Sequence, residues 1–341
     1  CDSGRCEERE RRTMSVDIQL GDCLDLLKQL PDNSVDLVLC SPPYEDARTY
    51  GIGFRLKGQD WVDWAVERYL ECVRVCRGLV VWVVEGKTKD FRWTATPALL
   101  MADLHRKGVR LRKPPVFHRV GIAGSGGPDW WRNDYEFCVC SSKGKLPWSD
   151  NTANGHPPKW APGGEMSNRV TDGTRRNQWR HSGTGKRGAR TKDGERTSAE
   201  RPSHVKKTMR EMADEPKTQA FIAGEMPPGS KLHTKRNAHE TRVQCYTPPK
   251  LANAGNVIHC VVGGGVMGSR LCHENEAPFP EKLVEPFIKC FCPPGGVVLD
   301  PFCGSGTTLA VADRLGRNAI GFDVRASQVE LSGRRVQENG Q

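Results

Sequence analysis

Two short stretches of this 341-residue chain hold residue types and spacings that could do chemistry. The first is Ser41-Pro42-Pro43-Tyr44, directly after an apolar run from Val35 to Cys40 that reads as a buried parallel strand. Two prolines stiffen the strand exit and remove two backbone donors, leaving carbonyls free to accept. Ser41 adds a hydroxyl and Tyr44 a flat face. Such a turn can take a flat heterocycle, its ring stacked on the aromatic and its amine held by carbonyl and hydroxyl. Standing alone, the same residues would read as a rigid Pro-Pro turn without chemistry.

The second stretch is VVLDPFCGSGTT, residues 297–308. An apolar strand runs into Asp300, a tight turn carries Gly304 and Gly306, and Thr307 and Thr308 open a helix. Glycines there let the backbone approach a ligand, and the helix start offers unpaired N–H groups. An ordinary βα turn is the competing reading. Gly321-Phe322-Asp323 sets a carboxylate at the end of the next strand, where an acid suits the hydroxyls of a ribose or, alternatively, caps the helix that follows. A phosphate-binding loop would need Gly-Lys-Ser/Thr, and the three-glycine dinucleotide fingerprint is incomplete, so a nucleoside without a diphosphate fits better.

The elements that must position these stretches alternate between helix and strand patterns. A short helix carries Leu24, Leu27 and Leu30. A helical face over 61–76 carries Trp61, Trp64, Ala65, Val73 and Cys76. Strand Leu79–Val84, helix Pro97–Lys107 stopped by Gly108, and extended stretches near 110–120 and 135–141 follow. Regular structure resumes with strand Asn256–Val262, helix Pro280–Phe291, strand Gly296–Leu299, a helix to Leu315, strand Asn318–Phe322 and a last helix from about Arg325. This alternation predicts a doubly wound α/β sheet. Between about 145 and 255 the pattern collapses into Gly, Pro, Lys, Arg, Asn and Thr, the composition of a weakly ordered insertion. Residues 1–15 are expected to be a disordered leader.

With both stretches in view, Asp300 to Thr308 resembles the S-adenosylmethionine-binding motif of the DNA amino-methyltransferases, and Ser41-Pro42-Pro43-Tyr44 is similar to their catalytic motif. The Ser-Pro-Pro form is commoner among N4-cytosine enzymes; Asp-Pro-Pro and Asn-Pro-Pro are commoner among N6-adenine enzymes. The resemblance implies cofactor contacts at Asp300, Phe302, Gly304, Ser305, Gly306, Thr307 and Asp323. It adds Asp22, in Leu20-Gly21-Asp22, near the adenine, where a helix cap is the competing reading. It adds His273, followed by Phe279-Pro280 and Leu283, near the methionine part, with two residues more than the usual spacing. Trp131-Arg132-Asn133 with Tyr135-Glu136-Phe137, and Tyr50-Gly51, also resemble family segments. The order, catalytic motif first and cofactor motif last, resembles the β group, a circular permutation of the Rossmann-like methyltransferase fold. The resemblance covers about 16–144 and 256–338. It implies a catalytic half (16–144), a target-recognition insertion (145–255) and a cofactor half (256–341).

The charge distribution gives that insertion a partner. The net charge is +10, and residues 145–255 hold 21 Lys/Arg against 11 Asp/Glu, so the whole surplus lies there. Arg175, Arg176, Arg180, Lys186, Arg187 and Arg190, interleaved with Trp179 and His181, suit phosphate and base-edge contacts on DNA. A solvated loop without a partner is the bland alternative. The 14 cysteines include no Cys-x-x-Cys pair, so reduced, mostly buried thiols are expected, with no metal. No Cys follows a proline, which disfavours the nucleophile of carbon-5 cytosine methylation. No run of about eighteen apolar residues suggests a membrane span and no apolar h-region suggests export, so a cytoplasmic, nucleoid-associated protein is expected. The expected activity is methyl transfer from S-adenosylmethionine to the N4 amine of a flipped-out cytosine, with a cognate restriction endonuclease as candidate partner. The alternatives are N6-adenine methylation and a DNA-binding protein with an inactive methyltransferase fold.

Overall fold

The computed structural model describes residues 14–46, 53–121, 129–157, 219–220, 223, 225, 231–236, 241–246, 251–262, 267–275 and 280–338. The chain divides into two compact units, residues 1–154 with 254–341, and residues 155–253.

The first unit is built on one mixed sheet. Its strands are β1 (Val16–Leu20), β2 (Val35–Cys40), β3 (Cys76–Val84), β6 (Leu111–Arg112), β7 (Val116–Val120), β8 (Tyr135–Ser141), β11 (Val257–Val261), β12 (Val297–Asp300) and β13 (Asn318–Asp323), and a small separate ribbon pairs β4 (Thr88–Lys89) with β5 (Arg92–Trp93). The order across the sheet is β1-β13-β12-β2-β3-β8-β7-β11, with β6 on β8. Neighbours from β1 to β3 are parallel, whereas β8 runs antiparallel to both β3 and β7. Strands β2 and β12 are adjacent in space, with Leu299 beside Val38, although some 260 residues separate them in the chain. Their apolar runs are those of strands covered on both faces, and every residue of β2 is buried.

Helices α1 (Cys23–Gln29), α2 (Gly58–Val75), α3 (Thr96–Arg106), α4 (Glu281–Phe291), α5 (Thr307–Arg314) and α6 (Ala326–Glu338) cover the sheet. Two hydrophobic clusters, one led by Trp61, Tyr69 and Trp82 and the other by Leu39, Leu283 and Ile288, form the core. Helix α2 starts three residues before the expected face and ends at Val75, and Cys76 opens β3 without a loop. Its buried face is Trp61, Ala65, Tyr69 and Cys72, with Trp64 and Val73 at the margins. Gly108, at φ 81°, terminates α3 as its sequence position demands.

In the second unit, β9 (Lys231–Arg236) and β10 (Thr241–Tyr246) pair antiparallel, Leu232 opposite Cys245 and Thr234 opposite Val243. The sequence reading left this stretch irregular, because polar residues fill most positions and hide the period of two. No helix among the described residues is long and apolar enough to cross a membrane.

Candidate active site

Both chemistry-bearing stretches lie at the carboxyl edge of the sheet, at the ends of the adjacent strands β2 and β12. Ser41 follows β2 directly, and its hydroxyl donates to the Val83 carbonyl at 3.2 Å. With its hydrogen so directed, the oxygen keeps lone pairs with which to accept. The Pro43 carbonyl already accepts from the Trp61 indole N–H at 2.9 Å, which leaves Pro42 the freer of the two proline carbonyls. Tyr44 donates its hydroxyl to Glu136 Oε2 at 2.6 Å, and Glu136 Oε1 pairs with Arg119 at 3.0 Å. Burial raises the Glu136 carboxyl above its ordinary range, an effect opposed by Arg119 and by the tyrosine hydrogen bond. Glu45 accepts from the Gly58 N–H at the start of α2, and Asp46 pairs with Lys57 and Lys87, so both ends of the turn are anchored.

The glycine turn is shaped from the other side. Gly304 and Gly306 have φ of 49° and 76°, and a Cβ at either would stand 2.9 Å from Asn275 Nδ2 or Ser332 Oγ respectively. Positive φ favours glycine at both positions, and at 306 the Ser332 backbone also leaves no room for a side chain, whatever the ligand. Ser332 donates to the Gly304 carbonyl at 2.7 Å. Arg335, fully buried on α6, donates to the hydroxyls of Ser305 (3.2 Å) and Thr307 (2.7 Å) and to Glu281 Oε1 (2.9 Å). The side chains of Ser305 and Thr307 thus turn toward this buried arginine, leaving backbone groups of the turn for a ligand. Sequence reading missed both Arg335 and Glu281.

Asp300 is wholly buried; Oδ1 accepts from the Phe302 N–H at 3.0 Å, and Oδ2 has no hydrogen-bond partner. Burial pushes its carboxyl up to about 7. An orphaned carboxylate oxygen at the foot of a glycine turn fits a cationic donor such as the ammonium of an amino-acid moiety. Asp323 Oδ2 accepts from the Gly304 N–H at 3.1 Å and Oδ1 from the Arg325 N–H at 2.9 Å and its guanidinium. It therefore braces the turn and the start of α6, and a carboxylate so engaged still has capacity to accept a hydroxyl. Asp22 caps α1 through the Leu24 N–H and meets Arg68, whose guanidinium lies 4.6 Å from the Trp64 ring centre. Phe302 packs against Trp64 and Trp82 with ring centres 5.8 and 5.5 Å apart.

The backbone of His273 lies in a short 3₁₀ turn, Arg270–Glu274. Arg175, Arg176, Trp179, Arg180, Lys186, Arg187 and Arg190, together with Tyr50-Gly51 and Phe279, lie outside the described residues. Among the described residues ten cysteines are free and buried, and burial raises the Cys40 thiol, beside Ser41, well above its ordinary value. That environment opposes a thiolate nucleophile. Among the described residues no group of His, Cys, Asp and Glu could hold a metal.

The sequence profile of a DNA methylase family, the N6/N4 methyltransferases, matches residues 35–334. The orphan methyltransferase M.BamHII of Bacillus amyloliquefaciens is 24% identical over 313 residues, covering 91% of each chain. The Type II methyltransferase M1.MboII of Moraxella bovis is 50% identical over 52 residues, 15% of this chain and 20% of that one. The PvuII cytosine-N4-specific DNA methyltransferase shares the fold, with TM-score 0.57 at 17% identity, covering 95% of this chain and 86% of that one. With the matched region spanning both the Ser41 turn and the glycine turn, the chain belongs to the DNA methylase family of N6/N4 methyltransferases, on a Rossmann-like fold in which the strand before the Ser41 turn precedes, in the chain, the strand before the glycine turn.

Proposed function

We propose that this protein is a site-specific DNA methyltransferase of the β group that methylates the N4 amine of cytosine, with Ser41-Pro42-Pro43-Tyr44 as its catalytic turn. The observation that carries the reading is the meeting of that turn with the glycine turn at one sheet edge. S-adenosylmethionine supplies an electrophilic methyl group. The Asp300 carboxylate would receive its ammonium, Asp323 would accept a ribose hydroxyl, and backbone groups of 302–306 would supply the remaining polar contacts. Ser41, rather than Asp or Asn, at the head of the turn favours cytosine.

A target base must leave the duplex to reach this edge, which costs a few kcal/mol. Stacking on Tyr44 recovers about 1–3 kcal/mol. The Ser41 oxygen and the Pro42 carbonyl accept the two amine hydrogens. They thereby favour the tetrahedral nitrogen whose lone pair, otherwise delocalised into the ring, attacks in line. Residues 16–144 and 256–341 form the two halves of the catalytic body. The basic segment 145–255, with Arg175, Arg176, Trp179, Arg180, Lys186, Arg187 and Arg190, reads the DNA, and an endonuclease of the same target sequence is its counterpart.

The test is mass spectrometry of nucleosides from DNA incubated with the protein and S-adenosylmethionine. N4-methylcytosine is expected. N6-methyladenine would overturn the cytosine assignment, and no methylated nucleoside, with DNA still bound, would favour an inactive fold.

A further inference from the structure

The proton is the part of this reaction that the Ser41 turn does not handle. An amine that has gained a methyl group is a cation and must shed a proton, and a serine hydroxyl is a weak base. Glu85 stands beside the turn and is engaged by none of the contacts that build it. It follows β3 directly, and contacts to the catalytic segment flank it on both sides: Val83 accepts from Ser41 at 3.2 Å, and Lys87 Nζ donates to the Asp46 carbonyl at 2.8 Å. The parallel ladder of β2 and β3 ends with Cys40 beside Trp82, so Ser41 and Glu85 both stand just past the carboxyl ends of adjacent strands. Glu85 is 8% exposed. Its Oε1 accepts from the Gly86 N–H and the Trp93 indole N–H, each at 2.9 Å, while Oε2 is buried without any partner. Leaving a buried carboxylate oxygen unpaired is costly, and a bound group that brings a hydrogen to Oε2 relieves that cost.

We propose that Glu85 is the proton acceptor of the methyl-transfer reaction. The inference rests on the methyltransferase reading above. The amine lone pair forms the N–C bond as the C–S bond breaks, the bonding pair leaving with sulfur as a neutral thioether. One N–H proton of the methylated cation passes to Glu85 Oε2, and the resulting carboxylic acid returns it to water once product departs. The surroundings suit this task. Burial raises the carboxyl, a neighbouring Glu136 carboxylate raises it further, and Arg119 with the two hydrogen bonds opposes the rise. Beside the segment, Asp46 pairs with Lys87 and with Lys57, each at 3.2 Å, and buried Glu45 is tied by one oxygen to the Gly58 N–H at the start of α2. A carboxylate held above its ordinary range is a stronger base than a free one.

Single-turnover methyl transfer, measured from pH 5 to 9 on a DNA substrate of wild-type protein, Glu85→Gln and Trp93→Phe, tests this. Glu85→Gln is expected to slow transfer about 100-fold and to flatten the ascending limb of the pH profile, with cofactor and DNA affinities within about twofold. Trp93→Phe removes a donor that holds the carboxyl down, so its ascending limb moves to higher pH with Glu85 intact. A Gln variant that keeps the wild-type rate, one that loses activity only through cofactor or DNA affinity, or an unmoved limb in Trp93→Phe would overturn the assignment. Wild-type protein that transfers no methyl group would instead overturn the methyltransferase reading itself.

Discussion

At the amino edge of the sheet, Asp36 is buried and fully engaged: Arg77 grips it with two hydrogen bonds at 2.7 and 2.9 Å, and the Val297 N–H adds a third at 2.9 Å. At the carboxyl edge, Asp300 is wholly buried and Glu85 nearly so, yet each keeps one oxygen without a partner. The same residue class in the same sheet is thus completed by the fold at one end and left incomplete at the other. The completed acid stitches β2, β3 and β12 together. The incomplete ones stand where strands end and a ligand can supply the missing donor, which is the usual place for ligands in open α/β sheets.

Substitutions can break or sharpen this contrast. The largest effect is expected at the turn itself: Ser41→Ala should cut turnover about 100-fold, read as initial rates of tritium transfer, with cofactor affinity unchanged. Asp300→Asn comes next. Its neutral amide cannot meet a cation, so cofactor Kd should rise about 30-fold by calorimetry, corresponding to ~2 kcal/mol. The unliganded variant should be no less stable than wild type. The sign follows from the raised carboxyl: its contribution to stability is present below the unfolded value near pH 4 and is lost as pH rises through about 7. Thermal melts of the unliganded wild type should therefore fall over that window relative to Asp300→Asn, and added cofactor should remove the difference. Asp36→Ala, at the completed edge, should do the reverse. It should cost about 1.5 kcal/mol of stability in urea melts, modest because Arg77 is half-exposed, and leave both kcat and cofactor Kd alone. Tyr44→Phe is the smallest: stacking is retained, the hydrogen bond to Glu136 is lost, and kcat should fall about fivefold, ~1 kcal/mol.

The individual strands flanking the site and the two turns were readable because their signals are local. A continuous apolar run announces β2, Gly108 ends α3, and the glycine spacing of 304–306 demands positive φ. The supporting shell was not readable, for a physical reason. Arg334 and Arg335 are neighbours in one amphipathic helix, but one is half-exposed and pairs with Glu274 while the other is fully buried against Ser305 and Thr307. Nothing in the sequence separates them. Glu136 alternates with Tyr135 and Phe137 as an outward-facing strand residue would, and only the arrival of Tyr44 and Arg119 from elsewhere gives it partners. Glu85 precedes the polar run Gly86-Lys87-Thr88-Lys89-Asp90 and so looks like the start of a solvated loop. Asp22 and Asp323 carried two readings each from the sequence. The Asp22 cap is visible in its bond to the Leu24 N–H, whereas Asp323 bonds the Arg325 N–H just ahead of α6 instead of capping the helix.

The sheet order also sets a schedule for synthesis. Strand β1 pairs with β13, Val16 beside Ala319, so the first strand made waits for one about 300 residues downstream. At a translation rate of roughly 5–20 residues per second, that wait lasts on the order of 15–60 s. During it both β1 and the open flank of β2 present unpaired backbone, the kind of edge that recruits other strands. This long-range strand order should therefore make the chain a slow, late-closing folder whose nascent form depends on chaperone shielding, and its yield should respond to translation speed more than that of a sheet whose neighbours are made in succession.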